Sequence, residues 1–251
     1  MCMRRVQIAS ILGIVAVVAL VIASCTPTAS TRFTVSLENV STAPAQATEL
    51  LDVTPRILVD GQDITSPLSP AVWVVHTGAN PLFTSGQAAS DALEALAEDG
   101  DPSLLVPALQ TAAGVKSVGA VNTPEGSSAA GPIGPGGRYQ FSFNAVAGDR
   151  LSVATMFVQS NDLFYAPGAN GIQLFGESGP VLGDVTSQLQ LWDAGTEVNQ
   201  RPGVGEDQAP RQAGPNTGAA EGGTVRLVND AYTYPDTADQ IELSVLSAGA
   251  S

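Results

Sequence analysis

The sequence predicts an antiparallel all-β sandwich with one small helical insertion. Short segments of alternating apolar and polar residues recur along the chain, and residues typical of turns separate them. Residues that favour helices are concentrated in one stretch, residues 90–112. Because helices do not alternate with strands, a parallel, doubly wound sheet is disfavoured. The apolar content of 44% is sufficient for a packed core.

The first predicted strands precede the helical insertion. Residues 33–39 alternate apolar and polar side chains, which indicates a half-buried strand. Residues 57–59 and 71–75 are two further runs rich in β-branched residues, and a segment with turn chemistry separates them. In the insertion, Ser90 is a candidate N-cap for a helix of strong helix formers, and Gly100 is its expected end.

The remaining strands follow the insertion. A second short helix is predicted over residues 104–112, with Pro107 in its first turn. Residues 139–143 alternate cleanly, and residues 151–158 form a nearly continuous apolar run that is typical of a central strand. Residues 199–222 are polar and rich in glycine and alanine, and they predict a long exposed loop. Further short strands are predicted over residues 115–121, 172–175, 188–192, 223–228 and 241–246.

The beginning of the chain has the pattern of a secretory signal. Two arginines precede an apolar run that ends in small residues, directly before Cys25. A cysteine at this point resembles the lipobox of bacterial lipoproteins, in which the cysteine becomes the lipidated N-terminus. An uncleaved transmembrane anchor is the alternative, although the run is slightly shorter than the roughly 20 residues that span a bilayer. We predict a signal peptide (1–24), a lipidated tether (25–31) and a β-sandwich domain (32–247).

Charge and cysteine content restrict the function. The chain carries 24 acidic and 10 basic residues, and this acidic balance excludes a nucleic-acid partner. Cys2 and Cys25 both precede the domain, which therefore has no disulfide, thiol nucleophile or zinc–thiolate site. His76 is the single histidine, and its place at the end of an apolar strand favours a hydrogen-bonded structural role over catalysis. We therefore predict that the protein is not an enzyme.

Acidic residues in two loops are candidate metal ligands. Asp193 and Glu197 flank a glycine directly after a strand, and Asp162 lies in another large loop. Glycine allows a loop to curl, and Ca²⁺ takes about six to eight oxygen ligands from carboxylates, carbonyls and water. Three carboxylates from two loops at one end of a sandwich would bind a divalent cation and connect the loops. Acidic loop residues are also typical of solvated turns, so the spacing alone leaves both interpretations open.

Several segments, taken in order, resemble the spondin N-terminal domain family. One is the Trp-Asp-Ala-Gly-Thr-Glu motif of residues 192–197, and it is the ordered set, over about residues 33–247, that is specific rather than any single segment. The other matching segments are residues 69–76, 81–83, 86, 89–90, 96–100, 148–152 and 160–162. The chain is thereby identified as a bacterial lipoprotein member of this family.

The resemblance implies an eight-stranded antiparallel β-sandwich, similar in build to calcium-dependent membrane-binding domains. It also implies one structural calcium ion, held by Asp162, Asp193 and Glu197. Animal members have aspartate at the position of Glu197, and glutamate binds calcium with one more methylene. Their disulfides and thrombospondin-type repeats have no counterpart in this sequence, so their partners are not transferred to this chain.

We therefore expect a non-enzymatic, calcium-binding adhesion or recognition module on a surface-anchored lipoprotein. The expected location is the extracytoplasmic side of a membrane, at the cell surface or in the periplasm. The expected partners are the membrane, through the lipid, and an extracellular protein or glycan. The alternatives are a purely structural envelope protein and a metal-dependent hydrolase of the cell envelope, with Asp162 or Glu197 as its base. The sequence offers this hydrolase neither a nucleophile elbow nor a phosphate-binding glycine loop.

Overall fold

The computed structural model describes residues 30–41, 57–59 and 62–250. The predicted signal peptide and Cys25 lie outside these residues. None of the helices in the described ranges is long and apolar enough to cross a bilayer. In chain order the described elements are β1 (Thr31–Asn39), β2 (Ile57–Val59), β3 (Gln62–Ile64), β4 (Ala71–His76), α1 (Asp91–Asp99), α2 (Leu105–Gln110), β5 (Val115–Val121), β6 (Arg138–Ala145), β7 (Arg150–Met156), β8 (Leu163–Pro167), β9 (Ile172–Gln173), β10 (Phe175–Gly176), β11 (Gly179–Pro180), β12 (Gly183–Asp184), a 3₁₀ turn (Thr186–Gln188), β13 (Leu189–Asp193), β14 (Arg226–Leu227), a second 3₁₀ turn (Thr237–Asp239) and β15 (Ile241–Ala250).

Two antiparallel sheets form a sandwich. The smaller sheet has the strand order β12-β15-β1-β6, and the larger has the order β14-β13-β8-β7-β4-β5, with β9 paired to β7. The hairpins β2–β3 and β10–β11 form separate two-stranded ladders. The predicted antiparallel sandwich is confirmed. Its expected size also agrees, because eight of the described strands have five or more residues: β1, β4, β5, β6, β7, β8, β13 and β15.

Alternation along the larger sheet places one apolar core on each of its faces. In β4, Trp73 and Val75 pack in the core between the two sheets, whereas Val72 and Val74 pack in a second core that includes the helices. The ring of Trp73 stacks on Phe141 of the smaller sheet, with centroids 5.7 Å apart. The larger sheet is therefore covered on both sides, which explains the nearly continuous apolar sequence of its central strand β7.

The helical layer begins and ends as the sequence predicts. The hydroxyl oxygen of Ser90 accepts a hydrogen bond from the backbone N–H of Leu93 at 3.2 Å, which caps α1. Gly100 ends this helix with φ 67°, and a Cβ at this position would lie only 2.7 Å from the Cβ of Ser69. Pro107 is the third residue of α2, in the first turn, where a proline does not break the helix. Both predicted helices are confirmed.

Two of the predicted strands are shorter in the structure. The segment 172–175 divides into β9 and β10, which belong to different ladders. In the segment 223–228 only Arg226 and Leu227 pair with β13. The backbone N–H of Val225 instead donates to a carbonyl of the loop before α1, at 2.9 Å. The first part of this segment is therefore bonded to loops, and only its last residues, from Arg226 onward, are bonded to β13.

Candidate metal centre

Two of the predicted ligands meet at one edge of the larger sheet. Because β8 and β13 are antiparallel neighbours, the beginning of β8 lies beside the end of β13. Asp162 directly precedes β8, and Asp193 is the last residue of β13, where it pairs with Leu163. The backbone N–H of Ala194 also donates to the carbonyl of Asp162 at 3.2 Å. Strand register therefore brings together two aspartates that are distant in the sequence.

Asp162 is fully buried, and its two carboxylate oxygens have different surroundings. Oδ2 accepts hydrogen bonds from the backbone N–H groups of Thr196 at 2.8 Å and Glu197 at 3.1 Å, and from the Thr196 hydroxyl at 3.1 Å. Oδ1 has no hydrogen-bond partner among the described residues. Burial, and then the negative charge of Asp193, raises the pKa of Asp162 to about 7. A buried carboxylate oxygen without a donor is destabilising unless a cation or water satisfies it.

Asp193 is also buried, but its oxygens are more fully engaged. Oδ1 accepts from the backbone N–H of Gly195 at 2.7 Å. Oδ2 accepts from the side-chain amide of Asn199 and from the guanidinium of Arg226, both at 2.8 Å. Burial raises the pKa of Asp193, while the positive charge of Arg226 acts in the opposite direction. The amide oxygen of Asn199 is buried without a partner in the described part of the chain. It is therefore an uncharged oxygen beside Asp193 that is available as a metal ligand.

A third carboxylate, which no pattern in the sequence predicts, completes the cluster. Asp162, Asp193 and Glu221 each contribute one carboxylate oxygen to a group whose members lie within 4.8 Å of one another. The backbone N–H of Glu221 donates to the carbonyl of Thr196 at 2.8 Å, which fixes this segment beside the loop after β13. Residues 30–41, 57–59 and 62–250 contain no second group of three such ligand residues.

Glu197 lies beside this cluster, but its carboxylate is hydrogen-bonded to groups outside it. Oε1 accepts from the backbone N–H of Gly218 at 2.8 Å, and Oε2 accepts from the amide of Asn161 at 3.3 Å. Burial raises the pKa of Glu197, and the hydrogen bond from Gly218 opposes this shift. The structure therefore brings Asp162 and Asp193 together and leaves the Glu197 carboxylate outside the group of three. The role of Glu197 as a calcium ligand stays a prediction.

The segment 199–222 forms one side of the site. The prediction of a long exposed loop is wrong for its first part, because Gln208 is fully buried and its side-chain amide donates to the carbonyl of Arg201 at 2.9 Å. The backbone N–H of Gln200 donates to the side-chain oxygen of Asn161 at 2.9 Å, which joins this part to the loop before β8. Buried polar side chains, rather than apolar ones, hold this first part in place. The sequence therefore contains no hydrophobic periodicity that would predict its structure.

A sequence model of the spondin N-terminal domain family matches residues 63–204, which is more than half of the chain. The chain belongs to the spondin N-terminal domain family. The family predicted from the sequence motifs is therefore confirmed. The matched range includes Asp162, Asp193 and Glu197, and it ends before Glu221 and Arg226. A comparison with curated proteins found no match. Spondin N-terminal domains are recognition modules rather than catalytic domains, and they indicate an extracellular or secreted protein.

The candidate metal ligands at the cluster are all oxygen atoms. Carboxylate and amide oxygens suit hard divalent cations such as Ca²⁺, whereas nitrogen and sulfur donors suit transition metals. Oδ1 of Asp162, which has no partner among residues 30–41, 57–59 and 62–250, is the oxygen that a cation would satisfy first. A further buried acid, Glu98 of α1, lies nearby; burial raises its pKa to about 7, while the side chain of Thr196 acts in the opposite direction. This edge of the sheet therefore concentrates negative charge.

The single histidine of the spondin domain lies away from this cluster. His76 is fully buried on β4, and its Nε2 lies 2.9 Å from the hydroxyl oxygen of Ser152 on β7. Burial, together with the positive charge of Arg150, lowers the pKa of His76. A buried, neutral histidine bonded to a buried serine fits the structural role predicted from the sequence.

Proposed function

We propose that this chain is a surface-anchored lipoprotein whose spondin domain binds one calcium ion and acts as a non-enzymatic adhesion or recognition module. The observation that carries the proposal is the meeting of two buried aspartates at the ends of adjacent strands, where one oxygen of Asp162 has no donor within the described part of the chain. Asp193 is the second ligand. The third carboxylate comes from Glu221, which lies in the group, or from Glu197, which the family motif implies.

The calcium ion is structural in this proposal. It connects the loop before β8, the loop after β13 and the segment around Glu221. The described domain has no cysteine, so the ion takes the part that a disulfide plays in other exported domains. Loops ordered in advance lose less conformational entropy when a partner binds. The partner is an extracellular protein or glycan at this end of the sandwich.

A calcium titration followed by thermal melting tests this proposal. We expect excess calcium to stabilise the wild-type protein by about 3 kcal/mol at a concentration near one hundred times Kd. Asp162→Asn and Asp193→Asn should show no such gain. Asp236→Asn is the matched control, because it removes the same charge from an exposed position and should respond like wild type. A wild-type melting temperature that does not change when calcium is added would refute the metal site.

Two further comparisons refine the proposal. If Glu221→Gln loses the calcium response and Glu197→Gln keeps it, Glu221 is the third ligand; the reverse result assigns Glu197. Turnover of an ester or glycan substrate that disappears in Asp162→Asn would overturn the non-enzymatic part of the proposal.

Anchoring through Cys25 rests on the signal-peptide pattern of the sequence. We expect the membrane-bound protein to lack residues 1–24 and to carry added acyl mass on Cys25, as measured by mass spectrometry, because the acyl chain on this sulfur would be its attachment. Cys25→Ser should be neither acylated nor cleaved and should keep residues 1–24, whereas Cys2→Ser, inside the predicted signal peptide, is the matched control and should be processed like wild type. A wild-type protein that keeps residues 1–24 and carries no acyl group would instead favour an uncleaved apolar anchor.

A further inference from the structure

A guanidinium group already lies among the carboxylates of the proposed calcium site. Nη2 of Arg226 is 2.8 Å from Oδ2 of Asp193 and 2.7 Å and 2.9 Å from the two oxygens of Glu221. One nitrogen therefore bridges two of the three residues that form the group. It donates to the oxygens on which a calcium ion in this group would depend.

A calcium ion in this group would compete with Arg226 for these oxygens. Both carboxylate oxygens of Glu221 lie within hydrogen-bond distance of the same nitrogen. A calcium ion needs carboxylate oxygens at about 2.3 to 2.6 Å, which would place a second cation close to the guanidinium. Two cations at such a separation repel each other strongly in a partly buried site. The oxygens of Glu221 therefore serve one cation at a time.

The position of Arg226 permits its release. It is the first residue of β14, at the edge of the larger sheet, and its side chain is 35% exposed. Its other terminal nitrogen, Nη1, donates to the carbonyl of Thr224 at 3.2 Å, outside the acidic group. The guanidinium can thus leave the carboxylates for water without opening either apolar core.

We propose that Arg226 is an internal counter-ion that holds Asp193 and Glu221 together in the calcium-free protein and is displaced from them by calcium. This inference rests on the proposed calcium function. Without the ion, Arg226 offsets part of the charge of three adjacent carboxylates and keeps the segment around Glu221 against the sheet. With the ion, that neutralisation is supplied by calcium. Arg226 thereby lowers the calcium affinity of the site while preserving the fold in its absence.

The test measures calcium affinity by calorimetry and melting temperature in a chelator, for wild type, Arg226→Gln and Arg138→Gln. Arg138 is the matched control, because it pairs with Glu125 and Glu38 on an exposed surface of the smaller sheet. We expect Arg226→Gln to bind calcium up to about tenfold more tightly, and to melt at a lower temperature than wild type in chelator. In saturating calcium the melting temperatures of the two proteins should approach each other. Arg138→Gln should bind calcium like wild type.

The outcomes separate this inference from the proposed function. Wild-type binding with equal or weaker binding by Arg226→Gln would overturn the counter-ion role and leave the calcium site standing. Absence of binding in both proteins would overturn both. Arg226→Lys keeps a positive charge with a single donor nitrogen, so an affinity between those of wild type and Arg226→Gln supports displacement; an affinity as high as that of Arg226→Gln counts against it.

Discussion

At the residue scale, the main electrostatic cost of the site is the burial of ionised Asp162. It is fully buried, it lies near the charge of Asp193, and one of its oxygens lacks a donor among the described residues. Three donors to its other oxygen lower its pKa, but burial dominates and raises that pKa to about 7, above the usual value of 3.8. Folding without calcium therefore favours the protonated carboxyl group.

This shift predicts the pH dependence of the calcium-free protein. Because the pKa of Asp162 is higher in the folded state, its contribution to stability is present below about pH 4 and is lost as the pH rises towards 7. Asp162→Asn, which cannot ionise, should stabilise the calcium-free protein at about pH 8 by an amount on the order of 2 kcal/mol. Chemical denaturation at about pH 5 and pH 8 measures the difference from wild type.

The comparison with the variant is essential, because burial also raises the pKa of Glu98 to about 7 and gives a slope of the same sign. Calcium should reverse the trend, since the ion binds the deprotonated carboxylate and its stabilising effect grows as the pH rises. A wild type and an Asp162→Asn variant with parallel pH profiles in chelator would show that this carboxylate is ionised in both the folded and unfolded states.

At the scale of elements, the turn after β13 determines the geometry of the site. Gly195 has φ 73°, and a Cβ there would lie 2.6 Å from the backbone nitrogen of Thr224. The loop therefore approaches the segment before β14 closely enough for the backbone N–H of Gly223 to donate to the carbonyl of Gly195 at 2.7 Å. This close approach places Thr196 and Glu197 where their N–H groups reach Asp162.

Gly195→Ala should therefore disturb both stability and calcium binding. Gly126 has a similar φ of 80° but nothing within 4 Å of its Cβ position, so Gly126→Ala is the matched control for backbone strain alone. We expect the control to lose about 1 kcal/mol of stability and to keep wild-type calcium affinity. Gly195→Ala should lose more and bind calcium more weakly, as measured by denaturation and calorimetry. Equal losses of stability and of calcium affinity in the two variants would mean that the close approach of Gly195 to Thr224 contributes to neither.

Local patterns predicted most elements, because alternation and capping are properties of neighbouring residues. The alternation of residues 139–143 identifies β6, and Ser90 with Gly100 delimits α1. The segment 223–228 has the same local pattern but forms only a two-residue strand. The backbone N–H groups of Gly223 and Val225 donate to loops that are distant in the sequence, and no local pattern records such bonds.

At the scale of the whole molecule, the register of the strands and the course of the loops determine which acidic residues come together. The sequence predicted that Asp162 and Asp193 lie near each other because it placed each in a loop at one end of the sandwich. The expected loop around Asp162 is wrong beyond that residue, since β8 begins at Leu163, and the antiparallel pairing of β8 with β13 is what joins the two aspartates. Glu221 was not predicted, because its position depends on the course of residues 199–222. That course is fixed by buried polar contacts such as those of Gln208, which leave no periodic signal in the sequence.

The sandwich also extends beyond the part of the chain that the family model matches. Strands β1 and β15 pair along nine residues of β1 and form the middle of the smaller sheet. Both lie outside residues 63–204. Arg226 and Glu221 are likewise outside this range. The matched range therefore holds the two aspartates, whereas two of the four strands of the smaller sheet and the proposed counter-ion come from the flanking sequence.

A crystal structure of the protein grown with calcium tests the central claim most directly. We expect one ion at about 2.3 to 2.6 Å from Oδ1 of Asp162 and from carboxylate oxygens of Asp193 and of one glutamate, Glu221 or Glu197. The guanidinium of Arg226 should have moved away from Glu221. Calcium-soaked crystals that show only water between Asp162 and Asp193, with Arg226 still bridging Asp193 and Glu221, would contradict the account.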